Sequence, residues 1–575
     1  MVMTHQLNFE AIIIGSGFGG SICACRLAKK WPGKVLLLER GKRYPMASFP
    51  RSPKDISQSF WNLMIEKRER PKRILSQQNT GLYDIRSYRK MDAVVAAGLG
   101  GGSLIYANVF LQPPKEVFDE RWPTNTNLET LQPYYQVTKA VMGAREIPQN
   151  NDPRRYIQRT RLFEDFAKSQ GKQSERVDIN VFFGNDFKRP LAMGIQAKNR
   201  FGATQTSCVY CGECDFGCNT HSKNTLDLNY LYVAENKYQT KIMTECIVNQ
   251  VIPLNQQGND DSSADGGFGY RVCYVDINKQ AEYSFTAKRV IVSAGTLGTN
   301  ELLLRCRDIY KTLPNINGHL GKKFSGNGDF LSFVIEGDKE TNPNYGPVIT
   351  QKIDYNLYDN HQKDHAFILE DAAYPALCAW FIEGAKPGLS HFSAIWSTVK
   401  AFLLRFFTAT STGRIGYIFH HLLGKTSTNK SIFLLCMGLD KSNGQLSLNK
   451  NDRLNIDWPS AQNWPLYQAI LTMGRHFKQW SNAQFYLPLP SFLWPFRKNV
   501  TVHCLGGCAL ADSPEKGVTS ARAEDYGQVF GYQSLYVVDG SLLPTAVGAN
   551  PAATISAISE RVAEGITQIK PDVDL

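Results

Sequence analysis

The sequence predicts a mixed α/β fold whose chain opens on a strand, a glycine turn, a helix and a second strand. Three observations carry this expectation. The apolar run Ala11-Ile-Ile-Ile14 leads straight into glycines at 15, 17, 19 and 20, a helix rich in small residues follows over 21–30, and a second apolar strand over 35–38 ends at Glu39. A continuous apolar run before glycines reads as a buried parallel strand, with the helix as its crossover.

Gly15, Gly17 and Gly20 have the G-x-G-x-x-G spacing of a Rossmann-type dinucleotide turn, with Phe18 and Gly19 inside it. The first glycine makes the turn, the second lets backbone approach a pyrophosphate, and the third lets helix lie close to strand. Free N–H groups at the helix start then face the phosphates. Glu39 stands nineteen residues past Gly20, where a carboxylate accepts both ribose hydroxyls. An acid there favours FAD or NAD over NADP, and the turn alone does not separate those two.

The second glycine run, 96–108, carries Gly98, Gly100, Gly101, Gly102 and Ser103, and ends at Asn108. No helix interior tolerates so many glycines, so the backbone there must approach something flat or tightly packed. Near the C-terminus lie Val502-His503, then a buried strand ending in Asp539-Gly540, then Asn550-Pro551 and a helix that includes Thr554.

These three regions together resemble the glucose–methanol–choline (GMC) oxidoreductases, and within them the cholesterol oxidase branch. The stretches 223–231, 291–303, 313–318 and 325–328 fit the same branch in the same order. The resemblance implies that Gly15, Gly17, Phe18, Gly19, Gly20 and Glu39 hold the ADP half of FAD. It implies that Gly101, Gly102 and Ser103 line the flavin with Asn108 close by, and that Asp539 and Gly540 sit near the ribityl chain. His503 and Asn550 would flank the reacting alcohol, while the helix after Pro551, with Thr554 in its first turn, would aim its N-terminus at the flavin's pyrimidine end. Such a helix stabilises the negative charge of a reduced flavin. An imidazole can take the hydroxyl proton as hydride leaves the carbinol carbon. An asparagine can hydrogen-bond the reacting oxygen without adding charge.

The resemblance also implies two interleaved domains. The FAD-binding domain takes 1–50, 85–112, 205–310 and 500–575; the α+β substrate-binding domain, an antiparallel sheet with helices, takes 51–84, 113–204 and 311–499. The expected function is FAD-dependent oxidation of an alcohol to a carbonyl, with a sterol 3-hydroxyl first among candidates and dioxygen or another acceptor taking the electrons. A second reading is a dehydrogenase for another lipid alcohol that passes electrons through an iron–sulfur cluster. A non-catalytic lipid-binding protein on the same fold is the third.

The chain departs from the sterol oxidases in three places. Tyr106 stands where many relatives carry asparagine. The carboxylate used by isomerising sterol oxidases is not in register around 375–383: Cys378 or Ala379 falls there, with Glu370 and Glu383 as nearby acids. Finally, Cys208, Cys211, Cys214 and Cys218 have C-x2-C-x2-C-x3-C spacing, which suits a [4Fe-4S] cluster, a zinc knot or a reduced cysteine loop. In ferredoxins the fourth cysteine of such a run serves a second cluster, and no second run exists here.

Composition bounds the rest. The net charge of +12 is spread along the chain, densest at 67–73, and no nucleic-acid-binding signature accompanies it. Thirteen mostly isolated cysteines suit a reducing compartment. The few residues before the first strand leave no room for an ordinary secretory signal, and no apolar run is long enough to span a bilayer. The expected place is therefore cytoplasmic or at a membrane surface, with non-classical export still open. The stretch 390–425 mixes aromatic, aliphatic and basic residues, and 485–496 is a second apolar stretch. They read as a membrane-surface helix pair suited to a lipid substrate, or as a lid or dimer contact.

Overall fold

A computed structural model describes residues 7–65, 75–76, 79–148, 156–358, 363–375, 427–489, 492 and 497–575. The basic stretch 67–73, the amphipathic stretch 390–425 and Cys378, Ala379 and Glu383 lie outside the described residues. No helix among the described residues is long and apolar enough to cross a membrane.

Two large sheets organise the described chain. The first has seven strands, with the path Lys241–Met243, Val35–Leu38, Phe9–Ile14, Ala281–Val292, Tyr270–Asp276 and Cys246–Pro253; Leu535–Val537 pairs with Ala281–Val292 off this path. Phe9–Ile14 lies parallel to both Val35–Leu38 and Ala281–Val292, as the apolar run predicts. Ile12, Ile13, Leu36, Leu37, Val290 and Ile291 are fully buried. The Tyr270–Asp276 and Cys246–Pro253 strands are antiparallel, joined through the polar segment 254–269.

The parallel strands Phe9–Ile14, Val35–Leu38, Ala281–Val292 and Leu535–Val537 all end at the same edge. Gly15, Glu39, Ser293 and Asp539 therefore gather outside their carboxyl ends, where ligands bind open α/β sheets. The N-terminal helix Phe18–Lys30 packs behind this edge against the C-terminal helix Ala552–Thr567. Arg26 and Glu560 form a buried ion pair between them at 2.8 Å, and Tyr230 donates its hydroxyl to Glu560 at 2.7 Å.

The second sheet has the order Phe485–Pro488, Phe330–Ile335, Ile432–Gly438, Phe367–Ala372, Gln351–Tyr355 and Ser174–Arg176, and every neighbouring pair is antiparallel. One face is covered by helices Gln158–Ser169 and Trp464–Trp480. Phe163, Phe166, Tyr467, Ile470 and Phe477 from those helices join Val334, Leu369 and Leu434 in one core.

Candidate active site

A cavity of about 1170 Å³ runs from the carboxyl edge of the first sheet to the second sheet. Its first end is a nucleotide cradle. Gly15 turns the chain at φ +96°, a left-handed conformation that disfavours a side chain. Gly17 caps the Phe18–Lys30 helix with no side-chain hydrogen bond, and a Cβ there or at Gly102 would meet only open space. Both residues line the cavity, so backbone and uncapped N–H groups face a space that a diphosphate fits.

Glu39 is buried in the same wall. Its Oε2 accepts from Ser16 N at 3.0 Å and Ser16 Oγ at 2.6 Å, while Oε1 accepts from Gly41 N at 2.8 Å. These bonds fix the carboxylate and leave it lone pairs for a ribose diol. Asp539 is held in turn by Thr299 Oγ1 at 2.5 Å and by Ser541 N at 2.9 Å. With Gly540, Asn550 and Pro551 also in the wall, the donor set fits FAD from end to end.

Several expected cofactor residues support this wall without reaching it. Ser103 turns its hydroxyl onto Gly100 O at 2.7 Å and accepts from Leu226 N at 3.1 Å, so it braces the glycine loop. Thr554 faces Tyr135, at 2.9 Å between hydroxyls. Asn108 is buried at φ +70°, with its carbonyl accepting from Asn180 N at 2.7 Å. Gly19 and Gly20 are packed against backbone carbonyls of Val538 and Gly15. Tyr106 does line the cavity; its hydroxyl is tied to Asn224 O at 3.0 Å and its ring stands edge-on to Phe18 at 5.7 Å.

His503 and Asn550, far apart in the chain, line this one cavity. His503 Nδ1 lies 2.8 Å from Oδ1 of the fully buried Asp329. A carboxylate only accepts, so Nδ1 carries the proton, and the neutral ring keeps its lone pair on Nε2. Asp329 Oδ2 also accepts the backbone N–H of Val502 at 2.8 Å and of His503 at 3.1 Å, which locks ring and backbone to one carboxylate. Asn550 Nδ2 donates to Glu370 Oε2 at 3.3 Å, and Asn550 Oδ1 is buried with no hydrogen-bond partner among the described residues.

Asp329 is the residue that motif reading misses, and Glu370 is named there only as a nearby acid without a place. Glu370 lies on the Phe367–Ala372 strand behind Asn550. Burial pushes its carboxyl up to about 8. Glu370 does not open on the cavity, so it holds Asn550 and gives no support to isomerisation.

The cysteine run does not form the expected metal cradle. Among the described residues no group of three or more His, Cys, Asp or Glu is placed to hold a metal ion. Cys208 Sγ instead accepts from Tyr210 N at 3.4 Å, and Cys218 Sγ accepts from Ser222 N at 3.2 Å and Lys223 N at 3.4 Å. Burial raises the Cys208 and Cys214 thiols and pushes Cys211 up to about 12. Lys223, fully buried beside the run, donates to the carbonyls of Cys214 at 2.7 Å, Leu104 at 2.8 Å and Tyr106 at 3.1 Å. It ties the cysteine loop to the glycine loop.

Comparison with known proteins agrees with this geometry. The N-terminal GMC oxidoreductase family model matches residues 9–306, and the C-terminal one matches residues 441–559. A cholesterol oxidase of Acinetobacter baumannii is 29% identical over 97% of this chain and 94% of its own. The long-chain-alcohol oxidase FAO1 of Arabidopsis thaliana is 21% identical over 99% of this chain and 68% of its own. Among solved structures, formate oxidase of Aspergillus oryzae superposes with a TM-score of 0.59 at 15% identity, covering 98% of this chain and 99% of its own, a likeness of fold. The chain belongs to the GMC oxidoreductase family and is an FAD-dependent oxidoreductase acting on CH–OH groups.

Proposed function

We propose that this protein oxidises the hydroxyl of a sterol or comparable bulky lipid alcohol to a carbonyl, with dioxygen as the final acceptor. The observation that carries this reading is the pairing of the Asp329-held imidazole with Asn550 in a cavity whose far wall is apolar. Leu331, Phe333, Ile335, Phe433, Leu435 and Leu487 from the second sheet supply that wall. A hydrocarbon skeleton buried there contributes about 25 cal/mol per Å². The likeness to cholesterol oxidases and long-chain-alcohol oxidases supports the same substrate class.

FAD, held between the glycine cradle and the Ala552–Thr567 helix, supplies the hydride acceptor. The chain's own residues do the rest. His503 Nε2 takes the hydroxyl proton, and Asp329 fixes the ring and balances the imidazolium so formed. Asn550, braced by Glu370, keeps its Oδ1 and its second N–H for the reacting oxygen. Roles for Gly101, Gly102, Asp539 and Gly540 along the cofactor follow from their places in the wall. The test is anaerobic: yellow holoenzyme mixed with cholesterol, dodecanol or glucose, read as flavin bleaching. Bleaching by the lipid alcohols supports the proposal, and bleaching by glucose alone refutes the substrate class.

A further inference from the structure

Resting on the reading of this cavity as an alcohol site, we propose that Asp215 is a specificity-determining residue that accepts a hydrogen bond from a second donor group on the substrate, a few carbons from the carbinol. The favoured substrate is then a lipid alcohol with a further hydroxyl, not a plain mono-alcohol.

Asp215 lies in the short turn Cys214–Phe216, inside the cysteine run. It lines the same cavity as His503, between the packed interior and the open space. The residue keeps a partly accessible surface. That surface is the cavity's. No hydrogen bond or ion pair to Asp215 is found among the described residues. Lys223, the nearby cation, spends its three N–H donors on the carbonyls of Leu104, Tyr106 and Cys214. Phe216, Ile105 and Phe60 are apolar members of the same lining. A carboxyl left so costs free energy unless something hydrogen-bonds to it.

Burial raises the Asp215 carboxyl, and the nearby Lys223 ammonium opposes that rise. A carboxyl oxygen with no partner is an open acceptor. A substrate hydroxyl is the donor the cavity lacks. A site built to bond a hydroxyl discriminates against the analogue without one, because the protein group is then buried unpaired.

The experiment compares wild-type holoenzyme with D215L and D215N on two matched pairs: cholesterol against 7-hydroxycholesterol, and dodecanol against dodecane-1,4-diol. Wild type should favour the hydroxylated member of at least one pair about 10- to 100-fold in kcat/KM, the range expected of one charge-assisted hydrogen bond. D215L should bring that ratio close to one, and D215N should keep part of it through its carboxamide oxygen. FAD content of each variant reports that the fold survives. Equal kcat/KM within both pairs for wild type, or a ratio that D215L leaves unmoved, overturns the proposal. If no alcohol bleaches the flavin, the alcohol-site reading fails by itself. The same pairs are then titrated against the oxidised flavin spectrum, and the ratio of Kd values scores Asp215 by the same criteria.

Discussion

The proton inventory of the site rests on two carboxyl groups with opposite tasks. Asp329 accepts from two backbone N–H groups and lies against the imidazole. Replacing it by asparagine removes the charge that balances an imidazolium and frees the ring to adopt the other tautomer. D329N should lower kcat/KM for alcohol about 10- to 100-fold with FAD content unchanged, and H503A about 10²- to 10⁴-fold, both read by stopped-flow flavin reduction. Glu370 is the neutral counterpart, held at about 8 by burial. Its folded value lies above its unfolded one, so its contribution to stability is full below about 4.5 and is lost as pH rises toward 8. E370Q should therefore flatten the fall in Tm between acid and mildly alkaline pH, measured by calorimetry across that window; an unchanged slope would place the titration elsewhere. His503 and Asn550 are legible in the sequence because each sits in a compact motif. Asp329, and the pairing of Glu370 with Asn550, are not, since the partners lie 174 and 180 residues away and only the fold joins them.

Elements show the same division between what is local and what is not. The glycine turn, its helix and the strand before it are set by short-range rules, and the sequence spacing places them correctly. A motif names positions and not directions: in the short helical turn Gly101–Leu104 the Ser103 hydroxyl donates to Gly100 O, and Thr554 faces Tyr135. Cysteine spacing misleads for a related reason. A metal site needs ligands converging on a point, and among the described residues no three His, Cys, Asp or Glu do so, while the run packs against Lys223. The lysine is then the keystone of the element. K223M leaves three carbonyls without their buried donor, at about 1–3 kcal/mol for each that water cannot reach. The variant should lose stability by a few kcal/mol in urea and release FAD more readily, because the Leu104 and Tyr106 carbonyls belong to the loop that presents Gly101 and Gly102.

Across the whole molecule, the cofactor cradle is built from chain ends that must meet. The first strand and helix supply Gly15 and Gly17, and the final hundred residues supply His503, Asp539 and Asn550. The Arg26–Glu560 pair closes this loop of 534 residues, reinforced by Arg26 donating to Asp572 O at 2.7 Å. Both side chains are nearly sealed from water, with relative exposures of 6% and 0%. Such a pair contributes modestly when intact, but removing one member strands the other in a poor dielectric, typically at about 3–5 kcal/mol. R26M keeps the aliphatic bulk and leaves Glu560 with only the Tyr230 hydroxyl as donor among the interactions described here, so it isolates the electrostatic loss from a cavity. The expected result is a Tm lower by several degrees and weaker FAD retention on dilution. Excess FAD should restore part of the Tm by mass action, since the flavin binds only the joined ends. The double variant R26M/E560L removes both charges, and it should recover most of the loss if desolvated charge is the cause. If the double variant is as unstable as R26M, packing and not charge holds the ends together, and the cradle's dependence on this ion pair is refuted.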